Sequence, residues 1–131
     1  MGYAVNFVNG IPKLVSISSP STGDIEETSF SGSNNQTSFT NVTGLAFANA
    51  DVRSFKTIVS VDLQATSDKF EIFELIGVQN NSGWYMSVNS TGDDSGIEFD
   101  ITSSGQVQYT SPDVSGYVSL TFKFRSETTG V

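Results

Sequence analysis

The chain has 131 residues, 6 Lys+Arg against 14 Asp+Glu, a net charge of −8, and neither Cys nor His. Those counts exclude a disulfide scaffold, a thiolate or imidazole metal site, haem ligation through either residue, and catalysis by thiol or imidazole. Chemistry built from Asp, Glu, Tyr, Lys and Ser survives, and the length predicts one domain spanning 1–131.

Ser and Thr make up 34 residues, while 37% of the chain is hydrophobic, with ten Phe, four Tyr and one Trp. That apolar and aromatic content is enough for one core and unlike the low-hydrophobicity, high-charge signature of disorder. No stretch approaches the ~18 apolar residues of a membrane span. The start, Met1-Gly2-Tyr3-Ala4-Val5-Asn6, lacks a basic segment followed by an apolar run, so no signal peptide is expected. Myristoylation at Gly2 is disfavoured because Asn6 stands where Ser or Thr is preferred. The six cations are scattered, which predicts neither a nucleic-acid nor a membrane partner.

Along the chain, Tyr3–Val8 and Leu14–Ser18 read as short strands around Asn9-Gly10-Ile11-Pro12. Ile25–Ser31 and Val42–Ala48 are further strands, separated by a polar segment, Ser31 to Thr40, expected to be an exposed loop. A single helix-like turn is expected around Asn49–Arg53. From Phe55 to Thr66 the pattern is plain: Phe55, Val59, Val61, Leu63 and Ala65 alternate with Lys56, Ile58, Ser60, Asp62 and Gln64. Successive side chains of a strand face opposite ways, so this is a half-buried strand with Ile58 as an apolar exception on its wet side.

Lys69 to Gly77 carries Phe70, Ile72, Phe73, Leu75 and Ile76 on both faces. Its length and the Asn80-Asn81-Ser82-Gly83 turn predict a strand buried on both sides. Trp84, Met86 and Val88 then alternate with Tyr85, Ser87 and Asn89, and Asn89 to Gly96 reads as a turn region. Ile97, Phe99 and Ile101, then Val107 and Tyr109, then Val118, Leu120, Phe122 and Phe124 mark three more alternating strands. Ser103-Ser104-Gly105 and Ser111 to Gly116 separate them. Eight or nine strands predict an all-β antiparallel β-sandwich, of jelly-roll type.

Glu71 with Glu74, or Glu98 with Asp100, form the carboxylate pairs a glycosidase would need, but the usual place for such charge is a solvated strand face. Asp93-Asp94-Ser95-Gly96 is a Gly-flanked acidic loop whose two carboxylates are the candidate calcium ligands, although the spacing of an EF-hand is missing. Trp84 and Tyr85 are neighbours on a strand, so one of them faces outward. Together with Ile58 they are the candidate interaction surface. The sequons at Asn35, Asn41, Asn80 and Asn89 are expected by chance in so Ser/Thr-rich a chain, and no P-loop, GxGxxG or nucleophile elbow is present.

Three stretches carry a family resemblance: Gly44-Leu45-Ala46-Phe47 leading to Val52-Arg53-Ser54-Phe55, then Ser104-Gly105-Gln106-Val107-Gln108-Tyr109-Thr110-Ser111, and finally Phe122-Lys123-Phe124-Arg125. From Val42 to the C-terminus the chain resembles the small all-β structural proteins of tailed-bacteriophage virions, of the capsid-decoration or tail-fibre type. The resemblance implies a virion component without catalytic residues or cofactor that contacts other virion proteins and forms a homo-oligomer, such as a trimer. It transfers no functional residue. Unpaired edge strands of a sandwich would be satisfied by joining copies or by docking onto a shell or fibre. The alternative reading is a carbohydrate-binding module or lectin with Trp84 or Tyr85 as the sugar platform. An enzyme built on carboxylates would need a tuned acid in a cleft, of which the sequence carries no sign.

Overall fold

The computed structural model describes residues 3–8, 11–16 and 23–131. These hold ten β-strands: β1 (Tyr3–Val8), β2 (Ile11–Ser16), β3 (Ile25–Ser31), β4 (Thr40–Ala46), β5 (Val52–Gln64), β6 (Lys69–Gln79), β7 (Trp84–Gly92), β8 (Glu98–Ile101), β9 (Gln106–Thr110) and β10 (Ser119–Gly130). No helix occurs among the described residues. The helix-like turn is a tight turn in which Ala48 O accepts from the N–H groups of Asp51 (3.0 Å) and Val52 (2.9 Å) before β5 begins. β2 starts at Ile11 rather than Leu14, pairing antiparallel with β1 from Val8↔Ile11 to Tyr3↔Ser16. Met1, Gly2, Asn9, Gly10, Ile17 and Ser18 lie outside the described residues.

Strands β3 to β10 form two antiparallel sheets, one of five strands in the order β3-β10-β5-β6-β7 and one of three in the order β4-β9-β8. This is the expected all-β sandwich. The jelly-roll path is not borne out by the connectivity. β5, β6 and β7 form a meander, and β10 returns beside β5 only after β8 and β9 have run through the smaller sheet.

Alternation decides which side chains meet between the sheets. Phe55, Val59, Val61 and Leu63 of β5, Phe73 and Leu75 of β6, and Leu120, Phe122 and Phe124 of β10 are buried on the inner face of the larger sheet. Val42 and Leu45 of β4, Phe99 of β8, and Val107 and Tyr109 of β9 supply the opposing layer. Aromatic pairs cross the gap. Phe73 meets Phe99 edge-on at 5.0 Å and Tyr109 meets Phe122 edge-on at 5.1 Å. Phe47, just past β4, stacks on Phe55 at 4.0 Å. Such pairs add to the area-proportional gain from removing apolar surface from water.

Polar groups inside are paired, as burial requires. Thr57 and Ser126 share a hydrogen bond of 2.6 Å between β5 and β10. Gln79 Nε2 donates to Asn49 O (2.6 Å) and Val52 O (2.5 Å), and Gln106 Nε2 donates to Val42 O and Leu45 O at 3.1 Å, where β4 leaves regular pairing. The polar segment after β3 is largely exposed yet pinned: Ser33 N–H donates to Tyr109 Oη (2.9 Å), and Gln36 N–H to Ser111 Oγ (3.0 Å).

Two expectations fail in instructive ways. β6 is buried on one face only: Phe70, Ile72 and Ile76 point away from the core. The reason is layering: the three-stranded sheet packs on the face that carries Phe73 and Leu75, while Phe70, Ile72 and Ile76 on the other face stay about half exposed. The turn expected from Asn89 instead begins after Gly92. β7 continues through Asn89, Ser90 and Thr91 because each finds a partner on the eleven-residue β6. Paired backbone outweighs the turn preference of the side chains.

Candidate interaction surface

Residues paired across an antiparallel ladder share a face. On β6 the outward positions are Phe70, Ile72, Glu74, Ile76 and Val78. Their β5 partners are Asp62, Ser60, Ile58, Lys56 and Ser54, and on β7 Ile72, Glu74, Ile76 and Val78 face Thr91, Asn89, Ser87 and Tyr85. On β10 the matching row is Thr121, Lys123, Arg125, Glu127 and Thr129.

The outer face is therefore a stripe of apolar side chains along β6, bordered by hydroxyls and amides on β7 and by charges on β5 and β10. Phe70 is 55% exposed, Ile72 45%, Ile76 44% and Val78 44%, while Tyr85 beside Val78 is 65% exposed. Exposed apolar side chains clustered in this way, here in two pairs on either side of Glu74, mark contact surfaces. Lys56 bridges to Glu74 at 3.5 Å in the middle of the stripe, with both side chains about half exposed. A shallow open depression of about 690 Å³ lies where Phe70 and Ile72 meet Ser60, Asp62, Thr91 and Lys123. Smaller ones flank Ile58 on either side.

Of the residues expected on an interaction surface, the structure brings Ile58 and Tyr85 to this face. Trp84 lies on the opposite side of β7. Its ring packs 5.6 Å from Phe55 and 6.2 Å from Phe47, and its indole N–H donates to Asn49 Oδ1 at 2.8 Å. Trp84 is thus half-buried against the core. Phe70, Ile72, Ile76 and Val78 were not among the expected surface residues. The signal that could have found them was cross-strand: any register setting them opposite Lys56, Ser60 and Asp62 puts them on the wet side of β5.

The acidic groups are occupied locally. Asp93 Oδ2 accepts from Phe70 N–H at 3.0 Å while Asp93 N–H donates to Phe70 O at 3.0 Å, closing the end of the β6–β7 ladder. Asp94 Oδ1 accepts from Gly96 N–H at 3.0 Å in a side-chain-closed turn. Among the described residues, no group of three or more acidic side chains is placed to hold a metal ion. Glu71 and Glu74 sit on opposite faces of β6. Glu71 accepts from Ser95 N–H (3.1 Å) and Ser95 Oγ (2.6 Å), whereas Glu74 bridges to Lys56. Glu98 and Asp100 are exposed on the short β8.

The three stretches that carry the family resemblance build the interior: Leu45, Phe47, Val52, Phe55, Val107, Tyr109, Phe122 and Phe124 are all buried. Only Ser54, Lys123 and Arg125 among them reach the outer face. The resemblance therefore concerns the scaffold more than the contact surface.

No family model and no curated protein matches the chain. Among solved structures, it is similar to the tailspike protein of Acinetobacter phage vB_ApiP_P1, with a TM-score of 0.44 and 16% sequence identity. The match covers 84% of this chain and 20% of the tailspike, so the chain spans about one fifth of that protein's length.

Proposed function

We propose that the chain is a non-catalytic structural component of a tailed-phage particle, acting by contact between the outer face of its five-stranded sheet and another particle protein. The observation that carries this reading is the uncovered row Phe70, Ile72, Ile76 and Val78, joined by Tyr85. Burying those side chains against a partner supplies a driving force proportional to the area removed from water. The polar border of Ser60, Thr91 and Asn89 and the charges of Lys123 and Arg125 supply a rim, the usual anatomy of a protein interface. The virion setting is supported by the sequence resemblance described above. Mass spectrometry of purified particles tests it, together with a variant carrying Ile72→Lys and Ile76→Lys. The expected result is stoichiometric incorporation of the wild-type chain and loss of the folded variant from particles. A chain found only in infected-cell lysate, or a variant incorporated as well as the wild type, overturns the reading.

A second reading has one specific observation behind it: Tyr85 presents an exposed ring whose hydroxyl accepts from Asn80 Nδ2 at 3.3 Å. An aromatic face beside an amide is a platform for a sugar ring. Glycan binding abolished by Tyr85→Ala, with the fold intact, favours a carbohydrate-binding attachment role over a purely structural one.

A further inference from the structure

The two sheets have four edge strands, and three of them are protected in the ways that natural sheets avoid unwanted pairing. β3 carries Glu26 and Glu27, and its register with β10 shifts between Phe124 and Ser126. β4 loses register with β9 between Asn41 and Ala46, around Gly44 at φ +93°. β8 is four residues long and carries Glu98 and Asp100. The fourth edge, β7, has none of these devices. Its nine residues, Trp84 to Gly92, contain no charge and no Pro, its pairing with β6 runs without a shift, and every residue from Ser87 to Gly92 is exposed.

The direction of its free backbone groups follows from the ladder. Asp93 N–H donates to Phe70 O, and Asn80 N–H donates to Gly83 O at 3.2 Å, one just beyond each end of the β6–β7 pairing. Alternation between these two points turns the N–H and C=O of Tyr85, Ser87, Asn89 and Thr91 toward β6. Those of Trp84, Met86, Val88 and Ser90 point away from it. Among the described residues, no backbone group bonds to them.

We propose that β7 pairs antiparallel with β7 of a second copy of this chain, centred on Val88, joining two five-stranded sheets into one. Three observations select this partner. Under a two-fold axis through Val88, the outward groups of Val88 meet those of Val88 in the other copy, and Met86 meets Ser90, so the edge is its own complement. The chain carries a net charge of −8, which resists self-association, and β7 is an uncharged edge at which like-charged copies approach. The antiparallel direction also sets the acidic end, Asp93 and Asp94, beside the other copy's Asn81–Gly83 turn. Arg53 stands at that turn, bonded to Gln79 O (3.0 Å) and Asn81 Oδ1 (3.2 Å), whereas a parallel pairing would set the two acidic ends together.

This proposal rests on reading the chain as an assembly module, and its test separates the two. Light scattering at about 100 µM chain, above a micromolar Kd, is expected to give twice the 14.0 kDa mass of the chain. Ser90→Pro removes an outward N–H while sparing the β6 ladder, and Ser90→Lys adds a charge to the edge. Both are expected to give monomers that keep the wild-type circular dichroism spectrum and melt no lower than the wild type does when diluted below its dimer Kd. The chain has no Cys, so Val88→Cys supplies a lone thiol. It is expected to form a disulfide-linked dimer on oxidation, because facing Cα atoms lie about 5.5 Å apart in such a pair. Ser29→Cys on the far edge is expected not to. A monomeric wild type, a trimer, or a dimer that survives both Ser90 variants overturns edge pairing. Loss of particle incorporation by the Ile72 and Ile76 variant alongside such a result leaves the structural role standing. An edge-paired dimer absent from particles overturns the virion role alone.

Discussion

The ring of Phe55 lies over Gly77, its cross-strand partner on β6, so closely that a Cβ placed on Gly77 would overlap Phe55 Cε2. That close approach lets Phe55 lie flat against Phe47 at an interplanar angle of 6° while Trp84 closes the cluster from β7. Gly77→Ala must displace the ring and disturb both contacts. The expected cost is about 1–3 kcal/mol, as for other overpacked cores. Urea unfolding checks it: the midpoint falls while the slope is unchanged.

Thr57 and Ser126 are both buried, and each hydroxyl has the other as partner at 2.6 Å. Thr57→Val keeps the shape but strands the Ser126 hydroxyl, which is expected to cost about 1–3 kcal/mol. Removing both hydroxyls with Thr57→Val and Ser126→Ala is expected to recover most of that loss. A double-mutant cycle in urea measures the coupling.

Phe122 stands at the centre of the inter-sheet aromatics, 5.9 Å from Phe30, 5.5 Å from Phe99 and 5.1 Å from Tyr109. Phe122→Ala removes a fully buried ring that three neighbours cannot replace. A loss of about 3–5 kcal/mol is expected, seen as a large drop in melting temperature.

The two faces of β6 separate by the same measurement. Leu75 is fully buried, so Leu75→Ala is expected to cost about 2–5 kcal/mol. Ile76, its neighbour, points outward, and Ile76→Lys is expected to stay within about 0.5 kcal/mol of wild type. A comparable loss for both would mean that the outer face is covered in the folded chain.

Much of the interior was legible in the residue pattern. Along β5, β9 and β10, period-two alternation named Phe55, Val59, Val61, Leu63, Val107, Tyr109, Leu120, Phe122 and Phe124 as core, and all are buried, whereas Val118 of the same alternating set stands just before β10 and is 73% exposed. Ile58 and Tyr85 could be placed on a wet face for the same local reason. β6 could not be resolved this way, because Phe70, Ile72 and Ile76 are as apolar as Phe73 and Leu75.

What the sequence by itself determined is the set of extended, one-sided segments, since alternation is a property of each strand alone. The acidic, thiol-free and imidazole-free character, with the chemistry that excludes, was likewise readable without coordinates. Only the tertiary structure decided which face of the larger sheet has a second layer, that β7 runs on through Asn89 to Gly92, and that Trp84 turns inward to Phe47 and Phe55. Burial and edge exposure depend on neighbours brought from far along the chain, and no local pattern records where those neighbours stop.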